Sequence, residues 1–293
     1  MVEVRLYLHG ESCLATRDVT PHHNLSLSSF RLFRANCFFE VTMANTDEKS
    51  KEPAAPVSNN GGMEDISYDL YPERRGQKLH RNWWTKFLRF DEQEDWEKIK
   101  CETNVYKCLK NSPLVKLMLA ALKSSGCEVD IRRHISCELC DKKVTGGYDP
   151  KLNQIIICQN NAYKQMIQGV LSHEMIHMFD VCRNNVDLNN LDHLACTEIR
   201  AANLCHCSFL SAWMQGFASP FNIKKTHQYC VKDKAMQSIL AVRKVSEEEA
   251  RNAVLRVFDK CYNDLEPVGR RLRRNSEDME KAYMEGPLYG YTD

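Results

Sequence analysis

The sequence predicts an α+β fold: a small antiparallel sheet packed on one buried helix, followed by a mostly helical C-terminal part. Three observations predict it. Between Val129 and Cys158 the chain breaks into short alternating or apolar runs separated by turn residues, which is how strands read. From Asn161 to Asp180 the apolar residues recur at steps of three and four, the spacing of one helix face. From Leu191 to Asn263 further stretches of helical period follow one another.

Residues 1–42 do not read as a folded unit. Arg5, Arg17, Arg31 and Arg34 are offset by Glu3, Glu11, Asp18 and Glu40, whereas a mitochondrial presequence is rich in Arg and poor in acids. Met43 reads as a second start, which makes 1–42 an alternative N-terminal extension. Residues 44–63 are polar and rich in Pro, Asn and Gly, a composition that buries too little apolar surface to order itself. Residues 1–67 are therefore expected to be an extension and a disordered segment. Tyr68 to Phe90 is basic and aromatic. It suits nucleic acid or an anionic membrane surface, with an ordinary amphipathic lead-in to the domain as the plainer alternative.

Asp91 to Cys108 reads as a helix whose acidic start complements the helix dipole. Ser112-Pro113 opens another, which runs to Ser124 and stops at Gly126. Three strands are expected at Val129–Ile135, Lys143–Tyr148 and Gln154–Cys158, with turn chemistry at Asp149 to Asn153. The next helix starts from Asn160 or Asn161 as N-cap. On it Met166, Val170, His173 and His177 share one face, beside Ile167, Leu171, Met175 and Met178. Helices are then expected from Leu191 to Trp213, Thr226 to Arg243 and Ser246 to Asn263, the last opened by the capping box Ser246-Glu247-Glu248-Glu249. The domain thus spans 68–266. The segment 267–293, charged and then rich in Gly and Tyr, is expected to be a flexible tail.

Composition narrows the function. A chain of 293 residues with 43% hydrophobic content affords one sizeable core, and a net charge of +1 carries no global footprint for nucleic acid, which is not an expected partner. No apolar run approaches the ~18 residues of a membrane span. Fourteen cysteines is a high count, and twelve of them are dispersed from Cys101 to Cys261. Disulfides suit that scatter and imply an oxidising compartment. Buried reduced thiols, or a second zinc site built from Cys137, Cys140, Cys205 and Cys207, are the alternatives.

The chemistry centres on His173-Glu174-Met175-Ile176-His177, an H-E-x-x-H motif. Residues four apart on a helix sit one above the other, so two imidazoles there can grip one Zn²⁺ and Glu174 can serve as general base. A small sheet followed at once by such a helix is the order of zinc proteases, a zincin-like arrangement in which an edge strand can hold an extended substrate by β-augmentation. A catalytic zinc takes three protein ligands and keeps one position open. The metzincin extension is excluded, because Asp180 and Arg183 stand where it needs Gly and His. Asp180 lies on the same face as the histidines but a turn too far to share the ion, so it suits an outer hydrogen-bonding role. Glu198 on the following helix is the expected third ligand. His193 is its rival, or else a donor to the developing oxyanion. The plain alternative for Glu198 is a surface carboxylate paired with Arg200 or solvent.

The blocks GGYDPKLNQIIICQN, LSHEMIHMFDVCRNNVDLNNLDHLACTEIRAANL, CVKDKAMQSILAVRK and FDKCYNDLEPVGRR resemble the mitochondrial inner-membrane protease family that matures the ATP synthase subunit a precursor. Vertebrate members have also carried a Ku-binding-protein label. The resemblance runs from about Trp83 to Arg271 with its motifs in order. It implies zinc, peptide-bond hydrolysis, residence in the intermembrane space, peripheral contact with the inner membrane, multiple disulfides and a chaperone-like role in assembling the ATP synthase membrane sector. The family's H-E-x-x-H carries over onto His173, Glu174 and His177. After EIRAANL, family members continue with a Ser-Gly-acidic-Cys stretch, whereas this chain has Cys205-His206-Cys207, which leaves the local cysteine pairing open. Two other classes stay open beside the metalloendopeptidase: a non-catalytic assembly chaperone, and a nuclear protein associated with DNA repair.

Overall fold

The computed structural model describes residues 2–3, 64–65, 70–75, 90–141, 143–161, 164–207, 222–273 and 276–292. The chain divides into two units, Met1–Tyr7 with Gly62–Asp293, and Leu8–Gly61. The second unit, most of 1–67 and the stretch 76–89 lie outside the described residues. So do the expectations placed on them.

In the first unit the order is β1 (Val2–Glu3), β2 (Glu64–Asp65), α1 (Phe90–Asn111), α2 (Pro113–Ser124), β3 (Ile135–Glu138), β4 (Gly146–Asp149), β5 (Gln154–Cys158), α3 (Lys164–Arg183), α4 (Leu191–Ala201), α5 (Ile223–Val242), β6 (Arg243–Lys244), α6 (Glu247–Asn263) and α7 (Asp278–Glu285). Ser112 caps α2 by accepting from the Val115 N–H, and Pro113 supplies the first turn. Ser246 and Glu249 form the expected capping box at the start of α6.

The main sheet has the order β1-β4-β5-β3. It is mixed, which corrects the expected antiparallel sheet: β4 and β5 form a hairpin, but β3 runs parallel to β5. The reason lies in the connection after β3. It passes over the end of β5 and is pinned there by the Cys140–Cys158 disulfide. Asn160 exchanges hydrogen bonds with the Cys140 backbone, and the Asn161 amide donates to the Asp141 and Val144 carbonyls. Neither asparagine caps α3, which begins at Lys164. The strand expected at Val129–Ile135 is instead a single helical turn, Ile131–His134, nucleated by the Asp130 side chain. The strand itself starts at Ile135. Tyr71 and Arg74, from the basic aromatic stretch, serve the sheet. The Tyr71 hydroxyl donates to the Gly146 carbonyl (2.7 Å), and Arg74 bridges Glu138 and Asp149.

Helix α3 is the centre of the fold. Every residue from Val170 to Asp180 is buried, so it is a core helix rather than an amphipathic surface one. Leu171, Met175 and Phe179 join Leu117, Met118 and Leu122 of α2 and Ile155 and Ile157 of β5 in the larger apolar core. A second core joins Leu194 and Ile199 of α4 to Val231 and Ile239 of α5 and Val254 and Phe258 of α6.

Two further expectations are corrected. Helix α4 does not continue to Trp213. It ends at Ala201 and passes into a π-helical turn, Ala202–His206, after which Cys207 is extended. No Gly or Pro marks this end. Tertiary ties impose it, through the Cys207–Cys230 disulfide and His227, whose Nε2 donates to the Cys207 carbonyl (2.6 Å). The segment from Pro267 is not a loose tail either. It forms α7 and a 3₁₀ turn, Gly286–Tyr289, and buries Val268, Ala282 and Tyr291 in the larger core.

Disulfides join Cys101–Cys137, Cys127–Cys182, Cys140–Cys158, Cys196–Cys261 and Cys207–Cys230. Cys137, Cys140 and Cys207 are thereby used, which rules out the second zinc site; Cys108 and Cys205 are free thiols.

Candidate metal centre

Two helices meet around one point. The motif places His173 and His177 one turn apart on α3, and both rings are buried. Their planes lie at 76° with centroids 4.7 Å apart. Helix α4, held by its Asn190 N-cap, brings Glu198 up to them. His173 Nε2 is 3.4 Å from Glu198 Oε2, and His177 Nε2 is 3.6 Å from Glu198 Oε1. One donor atom from each of the three residues lies within 4.8 Å of the others.

These contacts are not ion pairs. Burial pushes both imidazoles down to about 3, so they are neutral at physiological pH. Burial also pushes Glu198 up to about 7, while His177 and the Ser238 hydroxyl pull it the other way. Neither Nε2 atom has a hydrogen-bond partner, and neither Glu198 oxygen has one of normal geometry. Buried polar atoms left in that state are costly. A tetrahedral cation with N and O donors at 2.0–2.2 Å requires donor atoms about 3.3–3.6 Å apart. The two nitrogen–oxygen separations match that, and all three donor atoms lie within 4.8 Å, so the residues present are of the right kind to hold a metal ion.

The other ring nitrogens are held from outside. His177 Nδ1 is 2.8 Å from Thr197 Oγ1, and Thr197 donates its proton to Asp180 Oδ2 at 2.7 Å. Thr197 therefore accepts from His177 Nδ1–H, which leaves the Nε2 lone pair facing Glu198. Asp180 is fixed in turn by Arg200, whose Nε donates to both of its oxygens at 3.0 and 3.1 Å. Asp180 thus acts one step outside the histidines. The alternative pairing of Glu198 with Arg200 does not occur, because Arg200 is committed to Asp180 and Asp264. His193 is not brought to the centre. It is exposed, and its Nδ1 accepts from the Asp187 N–H.

Glu174 is fully buried beside the pair. Gly146 of β4 packs closely there: a Cβ on it would stand 3.7 Å from Glu174 Oε1 and 2.8 Å from the Ile156 carbonyl oxygen. Only glycine lets the strand approach the motif helix this closely. Sequence reasoning missed Thr197 and His206. The signal for Thr197 was a hydroxyl one residue before the expected ligand on the same helix. His206 had no signal beyond its departure from the family pattern.

A buried two-histidine, one-carboxylate group with a second carboxylate beside it defines a class, that of proteins with a preassembled site able to hold a metal. Comparison with known proteins narrows this. Residues 99–269 match the model of the Peptidase M76 family. A zebrafish (Danio rerio) mitochondrial inner membrane protease ATP23 homolog is 44% identical over 249 residues, which cover 83% of this chain and 94% of that protein. The human relative of the same name is 42% identical over 228 residues, 76% of this chain and 88% of its own. The Schizosaccharomyces pombe mitochondrial inner membrane protease atp23 is 37% identical over 182 residues, 60% of this chain and 96% of its own. The chain belongs to the Peptidase M76 family, a family of metallopeptidases, and is a peptidase. No solved structure matches it.

Proposed function

We propose that the protein is a zinc metalloendopeptidase of the mitochondrial intermembrane space, with a zincin-like centre, which processes the ATP synthase subunit a precursor and assists assembly of the ATP synthase membrane sector. The observation that carries the reading is the buried cluster of two neutral Nε2 atoms and one carboxylate at metal-binding separations. His173, His177 and Glu198 would hold the zinc; two imidazole nitrogens and one carboxylate are the donor set of a catalytic site with three protein ligands. Bound zinc supplies Lewis acidity, which polarises a scissile carbonyl and makes a water usable as nucleophile near neutral pH. Glu174 accepts the proton of the attacking water and returns it to the leaving amine. Thr197 and Asp180 keep His177 in the tautomer that offers Nε2.

The cellular setting is supported by relatives named mitochondrial inner membrane proteases and by the five disulfides, which suit an oxidising compartment. No helix among the described residues is long and apolar enough to cross a membrane, which agrees with peripheral contact. The test is Glu174→Gln, an isosteric change that removes the base and leaves the ligands. It should retain zinc and lose precursor processing. Processing by Glu174→Gln at near the wild-type rate would remove the proposed mechanism. Assembly that fails together with cleavage would tie the second role to the first, and assembly that survives would separate them.

A further inference from the structure

We infer that His206 is a positioning residue for the metal centre, orienting His173 and fixing its tautomer; this rests on the reading of His173 as a metal ligand. His206 Nε2 lies 2.6 Å from His173 Nδ1, and the two rings are tilted by 40° with centroids 4.7 Å apart. His173 Nε2 faces Glu198. A nitrogen that offers its lone pair to a cation cannot carry the imidazole proton, so the proton of neutral His173 sits on Nδ1. It is donated to His206 Nε2, whose own proton is then on Nδ1. The two motif histidines thus have different outer acceptors, Thr197 for His177 and His206 for His173.

The backbone is built to place this ring. His206 closes the π-helical turn Ala202–His206, and such turns recur where a helix delivers a functional side chain. The next residue, Cys207, is clamped twice, by its disulfide to Cys230 and by His227, which is itself held by the Tyr262 hydroxyl at 2.9 Å. The ring at 206 is therefore presented by an anchored segment rather than a free loop. Such outer partners of metal-bound histidines raise ligand basicity and restrict ring rotation, and their loss costs about 10–100-fold in metal affinity.

The experiment measures zinc affinity by competition with a chromophoric chelator for wild type, His206→Leu and His206→Gln. His206→Leu removes the acceptor. The Gln side-chain oxygen reaches the place of Nε2 and restores it. The inference expects His206→Leu to bind zinc about 10–100-fold more weakly and His206→Gln to stay within a few-fold of wild type. Equal affinities for all three proteins, or equal losses in both variants, would overturn it. A wild type that binds no zinc would instead sink the metal-site reading itself, which keeps the two failures apart. A second measurement needs no variant. Ring nitrogen shifts of histidine-labelled, zinc-loaded wild type should show His173 protonated on Nδ1 with the metal on Nε2, and metal on Nδ1 would overturn the assignment.

Discussion

Replacing Gly146 by Ala tests whether the sheet and the motif helix are packed as tightly as described. A Cβ at 146 would stand 2.8 Å from the Ile156 carbonyl oxygen and closer still to Val170 Cγ1. Ordinary contact begins at 3.4 Å, so strand and helix must retreat by 0.6 Å or more. The carbonyl is backbone in the neighbouring strand and cannot swing aside. Val170 is fully buried on α3, one turn before Glu174. Overpacking costs about 1–3 kcal/mol, and two obstacles, one of them backbone, place this change at the upper end. For a unit of this size about 3 kcal/mol lowers Tm by roughly 6–12 °C. The assay is thermal unfolding followed by circular dichroism, on the single variant and on Gly146→Ala/Val170→Ala. Trimming Val170 clears one obstacle but not the other, so the double variant should lose less than the sum of the singles, with a coupling of about 1–2 kcal/mol. A Gly146→Ala protein that melts within 2 °C of wild type, or strictly additive losses, would refute the packing argument.

Three more outcomes follow from the centre and its supports. Thr197→Val keeps shape but removes the acceptor for His177 Nδ1 and the donor to Asp180; zinc affinity, read by chelator competition, should fall about 10–100-fold. Glu198 sits near 7 in the folded metal-free chain against 4.5 for an unperturbed carboxyl. Its contribution to stability is therefore present below pH 4.5 and lost as pH rises through 7. Metal-free wild type and Glu198→Gln should unfold at similar denaturant concentrations at pH 4, and at pH 8 wild type should be the weaker by on the order of 3 kcal/mol; equal pH profiles would contradict the burial argument. Removing the α4–α6 bridge with Cys196→Ser/Cys261→Ser should cost about 2–5 kcal/mol of unfolding free energy, measured by chemical denaturation under non-reducing conditions.

How much of this was legible in the sequence depends on whether the signal was local. His173, Glu174 and His177 stood out because helix spacing and the requirements of a metal act within five residues. Glu198 was found by asking which carboxylate the next helix could offer, and the capping box at Ser246 by a four-residue rule. What escaped depends on contacts between distant segments. The parallel pairing of β3 with β5 is set by a loop stapled through Cys140–Cys158 and by Asn160 and Asn161, residues that alone look like helix caps. The end of α4 at Ala201 is imposed by Cys207 and His227 rather than by a breaker. The C-terminal segment reads as loose because its apolar residues are sparse. Val268, Ala282 and Tyr291 nevertheless fill the core, and Tyr291 also donates to Glu266. Thr197 and His206 meet the motif histidines through hydrogen bonds between separate segments, which no periodicity announces.

The central claim is that His173, His177 and Glu198 together hold one metal ion. The most direct measurement is the metal content of purified wild type and Glu198→Ala after dialysis against a weak chelator, by elemental analysis. The account predicts one zinc per wild-type chain and loss of it in the variant, which leaves two facing imidazoles without the carboxylate between them. A wild type without metal, or a Glu198→Ala protein that retains a full equivalent, would contradict it.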